Sequence, residues 1–298
     1  MRKIRTCPVC GRESDNAKLF LKKNINSTKI TDFTFASRKT PEFMSHELVR
    51  CLGCDLIYAT EPPSEGELII AYQEAAYDSS QEADDAAEAY IQAIGPIINA
   101  LTYRNKVLEI GAGTGIFLEH LSRDIFVEVI GIEPSSAAIA AAPLYRQAWI
   151  RKGMFEETIF EPESFDMICC FMTMEHVSNP LMVARSAFNL LKPGGVFVTV
   201  THDYRSSVNR LFGKHSPIID IEHLQLFSQR SIKNLFQTAG YKRITVIKFV
   251  NAYSIKYWLR LTPLPSFVKH FLSIIFNCSL GRKKIKINVG NIMAAGFK

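Results

Sequence analysis

From about residue 106 onward, short apolar runs alternate with stretches whose apolar residues recur at helical spacing. "VLEI", "VEVIGIEPS", "FDMICCFM" and "VFVTVTHD" read as strands, as do "KRITVIKF" and "NIMAAGF" nearer the end, with a further short strand or turn in "AWIRKGMF". Between them "GIFLEHLSR", "SAAIAAAPLY", "PLMVARSAFNLL" and "SQRSIKNLFQTAGY" carry the 3.6-residue period of helices. "KPGG" stops the third of these, and the last has Ser228 as its expected N-cap and Gly240 at its C-terminal end. Alternation of this kind predicts an α/β fold: a doubly wound, mainly parallel sheet of seven strands.

Upstream the pattern changes. "EPPSEGELIIAYQEAAYDSSQEADDAAEAY" is acidic and rich in alanine, with apolar residues at helical spacing around Tyr90, Ile91, Ile94, Ile97 and Ile98. Pro62 and Pro63 mark a boundary before it. The expected organisation is a small module over residues 1–64, an acidic helical linker over 65–100 and the α/β domain over 101–298. Residues 251–286 form an insertion in that domain, with Tyr257, Trp258 and Leu261, then Phe267, Val268, Phe271, Leu272 and Ile275 at helical spacing among lysines and arginines. A lid over substrate, a contact between copies, and a helix lying on an anionic membrane surface all fit this pattern.

Charge sharpens that division. The chain has 298 residues and a net charge of +6. Residues 61–100 carry 9 acids and no base, whereas 241–298 carry 11 bases and no acid. The basic end projects a field toward anionic partners. The basic N-terminus is followed by no apolar run, and no window is apolar enough to span a bilayer, so a cytosolic chain is expected.

Four of the seven cysteines form two C-x-x-C pairs, Cys7 with Cys10 and Cys51 with Cys54. Each pair sets two thiolates on one turn, and two pairs complete the tetrahedral shell that structural zinc takes. Disulfides compete as a reading, and the expected compartment argues against them. A redox pair would need a strand–helix context that neither site has. A segment this short also needs a staple. Structural zinc is therefore the expectation, with "KLFLKK" and "ELVRCLGC" as extended segments around it. Cys169 and Cys170 sit in an apolar strand and read as core, and Cys278 reads as inert.

The loop "VLEIGAGTGIF" asks for a ligand. A dinucleotide fingerprint needs G-x-G-x-x-G. Here the glycines are Gly111, Gly113 and Gly115, Ile116 follows, and Glu109 stands where a pyrophosphate would be repelled. Glu133 ends the second strand, where a carboxylate accepts the two hydroxyls of a ribose. A nucleoside with a cationic end, S-adenosylmethionine, suits these two acids better than NAD.

With "VLEIGAGTG", "GIEPS", "FDMICCFMTMEHVSNP" and "LLKPGGVFVTV" in order, the chain resembles the class I S-adenosylmethionine-dependent methyltransferases. The resemblance implies a Rossmann-like methyltransferase fold. It assigns the amino-acid part of the cofactor to Glu109, Gly111, Gly113 and Gly115, the ribose to Glu133, and the adenine to Met154 and Phe155. The paired cysteines ahead of the core, with "IEHLQLFSQRSIKNLFQTAGY", are also similar to methyltransferases that carry an N-terminal zinc-binding module. In the sugar C-methyltransferases among them a His-Glu-His stands where this chain has Ile221, Glu222 and His223. That departure argues against methylation of carbon.

Methyl transfer needs positioning and, for a hydroxyl, a base. The loops after the fourth and fifth strands lie where a doubly wound sheet places its site. They offer His176, His202, Asp203, Tyr204, Asp220, Glu222 and His223. His223 is the expected base, with Glu222 or Asp220 orienting its ring and His176 as the second candidate. The expected function is methylation of a small, anionic acceptor such as a nucleotide-linked sugar or a glycan or lipid precursor. An RNA methyltransferase gripping its substrate with zinc module and basic tail is one alternative. Its obstacles are the acidic linker and the lack of an aromatic–basic stacking pattern in the module. A non-catalytic relic that holds the cofactor is another.

Overall fold

In the computed structural model the described residues are 5–31, 33–36, 42–76, 80–123, 125–261, 266–277, 281 and 283–298. Cys278 lies outside them, as do the side chains of Tyr257, Leu261 and Phe267. The chain opens with strands β1 (Ala17–Leu21), β2 (Leu48–Cys51) and β3 (Ile57–Ala59), then helices α1 (Glu65–Glu74) and α2 (Ser80–Asn99). The α/β part follows as β4 (Lys106–Ile110), α3 (Ile116–Ser122), β5 (Glu128–Glu133), α4 (Ser136–Ala141), α5 (Leu144–Gln147) and β6 (Ile150–Lys152). Next come β7 (Phe165–Phe171), α6 (Pro180–Leu190), β8 (Leu191–His202), α7 (Ser207–Phe212), β9 (Gln225–Leu226) and α8 (Gln229–Ala239). The end comprises β10 (Lys242–Ser254), α9 (Ile255–Leu261), α10 (Ser266–Ile275) and β11 (Lys284–Phe297).

Seven strands form one sheet in the order β10-β11-β8-β7-β4-β5-β6. Only β11 runs against its neighbours; the pairs among β4, β5, β6, β7 and β8 are parallel. The doubly wound expectation is met. Every residue of β7 is buried, as a strand covered on both faces requires. Its side chains alternate between two cores. Ile168 and Cys170 join the core under α6 and α8, while Met167, Cys169 and Phe171 join the one under α2 and α3. The adjacent cysteines thus point to opposite faces, as core packing predicts.

Local signals account for the boundaries. The Ser228 hydroxyl accepts the Ser231 N–H at 3.2 Å to start α8, and Gly240, at φ 103°, ends it in the left-handed region that glycine tolerates. One expectation fails in detail: the helix through "SAAIAAAPLY" breaks at Ala142–Pro143 into α4 and α5. Proline removes a donor and disfavours helical geometry at the residue before it. The insertion is also shorter than 251–286, because β10 runs on to Ser254 and β11 already begins at Lys284. Between them stand α9 and α10.

The N-terminal segment is not a loose appendage. Its strands make a second sheet, β1-β2-β3-β9, whose last member comes from the α/β part, with Ile57 opposite Leu226 and Tyr58 opposite Gln225. Asp55 reinforces the junction. Its carboxylate is gripped by both nitrogens of an Arg205 fork and accepts the Ser228 hydroxyl at 2.9 Å. The Tyr204 hydroxyl donates to the Asp55 carbonyl at 3.1 Å.

Candidate active site

A cavity of about 360 Å³ opens at the carboxyl ends of the parallel strands. On one side stands the loop between β4 and α3. Gly111, Gly113 and Gly115 all have positive φ, at 81°, 54° and 67°. The Gly111 and Ala112 N–H groups both donate to the Ile132 carbonyl, at 2.9 and 3.0 Å, which folds the loop back over β5. A Cβ on Gly111 would fall 2.3 Å from Thr173 Oγ1, so only glycine lets β4 and β7 leave the sheet this close together. Gly115 stands apart from the cavity wall: it is the N-cap of α3, with Ile150 in the space a side chain would need.

Glu109 and Glu133 are both buried and both line the cavity. The Glu133 carboxylate accepts the Gly113 N–H on one oxygen and the Ser135 N–H on the other, each at 2.8 Å. Burial pushes its pKa up, and these two donors pull the other way. Each oxygen keeps a further lone pair for a ligand. Met154 and Phe155 line the same half of the cavity, just beyond β6. Among the described residues no lysine or arginine lines the cavity. The wall therefore favours a ligand with a positive end and would repel a pyrophosphate.

The other half gathers the predicted histidines and carboxylates. His176, Glu222 and His223 bring ligand atoms within 4.8 Å of one another. The His176 and His223 rings lie 4.9 Å apart, and His202 is 5.4 Å from His223. His223 Nδ1 donates to the Ile218 carbonyl at 2.8 Å, so in the neutral ring Nε2 carries the lone pair. A backbone carbonyl therefore sets the tautomer expected of Glu222 or Asp220. Asp220 shapes the turn, accepting the Ile221 N–H on its carboxylate at 2.7 Å and the His223 N–H on its carbonyl at 3.1 Å.

His176 Nδ1 is 3.1 Å from the Tyr72 hydroxyl and 3.8 Å from Glu222 Oε2. Burial, then Glu222 and Glu133, push the Tyr72 pKa well above the ordinary phenol value, and its hydroxyl shares a hydrogen bond with His176 Nδ1. His202, pushed down to about 4 by burial, stays neutral and donates from Nδ1 to Asn291 Oδ1 at 2.8 Å. Asn291 in turn donates to Asn251 Oδ1 at 2.7 Å. Beneath them Glu175 is fully buried, and burial pushes its pKa up to about 7 although one oxygen accepts the His202 N–H at 2.7 Å.

Sequence reasoning missed part of this wall. Tyr72 and Tyr90 come from the acidic segment read as a linker, and Asn251, Tyr253, Trp258 and Asn291 from the ends of β10 and β11. No motif marks them, because only the tertiary fold brings α1, α2 and the β10–β11 ribbon to the cavity. Tyr204 and Asp203 go elsewhere: Tyr204 braces the N-terminal sheet, and Asp203 accepts the Arg205 N–H in a turn.

The four N-terminal cysteines cluster with no disulfide among them. Cys7 and Cys54 sulfurs are 3.4 Å apart and Cys10 and Cys51 sulfurs 3.5 Å apart, with all four inside 4.8 Å. Those separations fit a thiolate shell around zinc, whose bonds of about 2.3 Å set the sulfurs a little under 4 Å apart.

A family model described as a methyltransferase domain matches residues 79–246, more than half of the chain. The chain is 33% identical over 132 residues to a ubiquinone biosynthesis O-methyltransferase of Histophilus somni, covering 41% of this chain and 52% of that one. A protein of the same name from Pseudomonas fluorescens is 32% identical over 120 residues, 36% of this chain and 50% of its own. The chain spans about half the length of the curated relatives it matches. Among solved structures, the YcgJ protein from Bacillus subtilis has a TM-score of 0.51 at 21% identity, over 70% of this chain and 98% of that one. That is a likeness of fold.

Proposed function

This chain belongs to the methyltransferase-domain family, and from that premise we propose that it methylates a hydroxyl of a small, largely uncharged acceptor with S-adenosylmethionine. The observation that carries the reading is the cavity wall: two buried carboxylates, Glu109 and Glu133, and, among the described residues, no lysine or arginine. When bound, the cofactor supplies an electrophilic methyl group on a sulfonium. Glu109 and the loop from Gly111 to Gly113 would face its cationic amino-acid end, Glu133 its ribose, and Met154 and Phe155 its adenine.

The acceptor half of the cavity bears on substrate class. A nucleotide-linked sugar brings a diphosphate, for which the described residues of the wall offer no lysine or arginine; Tyr72, Val177, Pro217, Tyr253 and Trp258 offer apolar surface instead. The expectation of an anionic acceptor therefore gives way to an apolar molecule with a hydroxyl. O-methylation also agrees with the names of the matched relatives. His223 Nε2 would take the hydroxyl proton, with the Ile218 carbonyl stabilising the imidazolium through Nδ1. His176, Glu222 and Asp220 would position it. Zinc on Cys7, Cys10, Cys51 and Cys54 would hold the module of residues 1–64 together, ahead of the segment 65–100 and the methyltransferase domain 101–298.

Calorimetry with S-adenosylmethionine, its demethylated product and NADH tests the cofactor. Mass spectrometry of phenolic and alcoholic acceptors incubated with S-adenosylmethionine tests the transfer. Binding of both sulfur nucleosides and a gain of one methyl are expected. Tight binding of NADH with no heat from the sulfur nucleosides would overturn the reading.

A further inference from the structure

Helix α10 packs chiefly on α9, and α9 on β10. Phe271, Ile274 and Ile275 are 63%, 62% and 50% exposed, and their i, i+3, i+4 spacing places them on one face of α10. Ile285 and Ile287, at the start of β11, add exposed apolar surface. Single exposed apolar residues need no explanation, but a contiguous stripe marks a contact. Lys256, in α9, and Lys283, just before β11, are exposed as well. Lys284 is also exposed but pairs with Asp85 and Glu88 of α2. From residue 241 to the end there are 11 lysines and arginines and no acid.

We propose that this face docks on an anionic lipid bilayer, with the α10 stripe in the headgroup layer and the exposed lysines of the α9–α10 segment and its flanks on the lipid phosphates. Charge argues for this occupant. A second copy would bring an equally basic face against this one, and like charges oppose that contact. An apolar stripe on one face of a helix enters a fluid interface without a matching groove. Among the described residues no helix is long and apolar enough to cross a membrane, so the contact is peripheral.

The position of the face deepens the proposed function and, in this part only, rests on it. Tyr253, Trp258 and Val289 of the same β10–α9–β11 unit line the cavity. Trp258 Nε1 donates to the Ile285 carbonyl at 3.0 Å, tying α9 to the ribbon. An acceptor dissolved in the bilayer would thus meet the apolar half of the cavity without passing through water. The substrate class is a lipid-soluble alcohol or phenol.

The test uses the full chain with vesicles of phosphatidylcholine alone, or mixed with phosphatidylglycerol, at low and high salt. Sedimentation with the mixed vesicles at low salt, lost with pure phosphatidylcholine and weakened by salt, is expected. Phe271→Asp with Ile274→Asp should lower the bound fraction about tenfold or more, and Lys256→Glu with Lys283→Glu should do likewise. Calorimetric binding of S-adenosylmethionine should be unchanged in both, which shows them folded. Failure to sediment at low salt, equal binding to both lipids, or a dimer in light scattering that the aspartate pair dissolves would each overturn docking. Vesicle binding by a chain that ignores S-adenosylmethionine would leave docking standing and remove the methyltransferase reading instead.

Discussion

Replacing Glu133 by glutamine removes one charge while keeping size and shape. In the native site its two oxygens accept the Gly113 and Ser135 N–H groups, both at 2.8 Å. An amide has a single acceptor oxygen, so one of those N–H groups would face an NH₂. Leaving a buried donor unmade costs about 1–3 kcal/mol, and for a chain of this size that lowers Tm by roughly 2–5 °C. Cofactor binding suffers separately. The ribose would meet one neutral acceptor in place of a carboxylate, a loss of about 1.5–3 kcal/mol for hydrogen bonds to a charged group. That converts to a Kd raised roughly ten- to hundredfold. Glu133→Asp keeps the charge but withdraws it by one methylene, so it reaches a single loop N–H and should fall between wild type and glutamine. Calorimetry with S-adenosylmethionine measures the Kd, and thermal unfolding without ligand measures the stability. A glutamine variant that binds within threefold of wild type would refute the assignment of the ribose to Glu133, whatever its Tm.

Three further outcomes are expected. His223→Ala should lower kcat by about 10²–10⁴, the usual worth of a general base, while S-adenosylmethionine still binds; near-normal turnover would remove His223 from the chemistry. Glu175 gives a pH dependence: its folded value of about 7 lies above the ordinary 4.5, so the folded chain holds a proton that the unfolded chain sheds. Its contribution is full below the unfolded value, fades as pH rises, and is gone above about pH 7. Urea denaturation should show Glu175→Gln flattening that slope and raising stability near pH 8, by at most roughly 3 kcal/mol; an unchanged slope would contradict it. Metal analysis should find one zinc per chain, and Cys54→Ser or a strong chelator should remove it and lower Tm by several degrees; metal-free protein of unchanged stability would end the zinc reading.

Where periodicity and backbone demands coincide, the residues announced the structure. β7 reads as a fully apolar run because both its faces are covered, and the glycines of the β4–α3 loop reveal positions where a Cβ has no room. Glu133 was legible because its place at a strand end is local. Tyr72 was not, since its hydrogen bond to His176 joins residues 104 apart and nothing nearby in sequence hints at it. β9 has only two residues, too few to show alternation, and it exists because β3 offers it an edge. The split of "SAAIAAAPLY" at Pro143 could be anticipated from proline chemistry, but the alanine-rich period masked it.

The pairing of β9 with β3 has a bearing on dissection of the protein. Glu222 and His223 sit immediately before β9, fastened on one flank by the Leu224 N–H on the Glu175 carbonyl at 2.9 Å and on the other by the edge that β3 provides. A fragment begun at the acidic helices would retain the whole nucleoside cradle but lose that second fastening. It should still take up the sulfur nucleoside while turning over little or nothing. On the proposed function, a fragment expected to turn over begins with the cysteines.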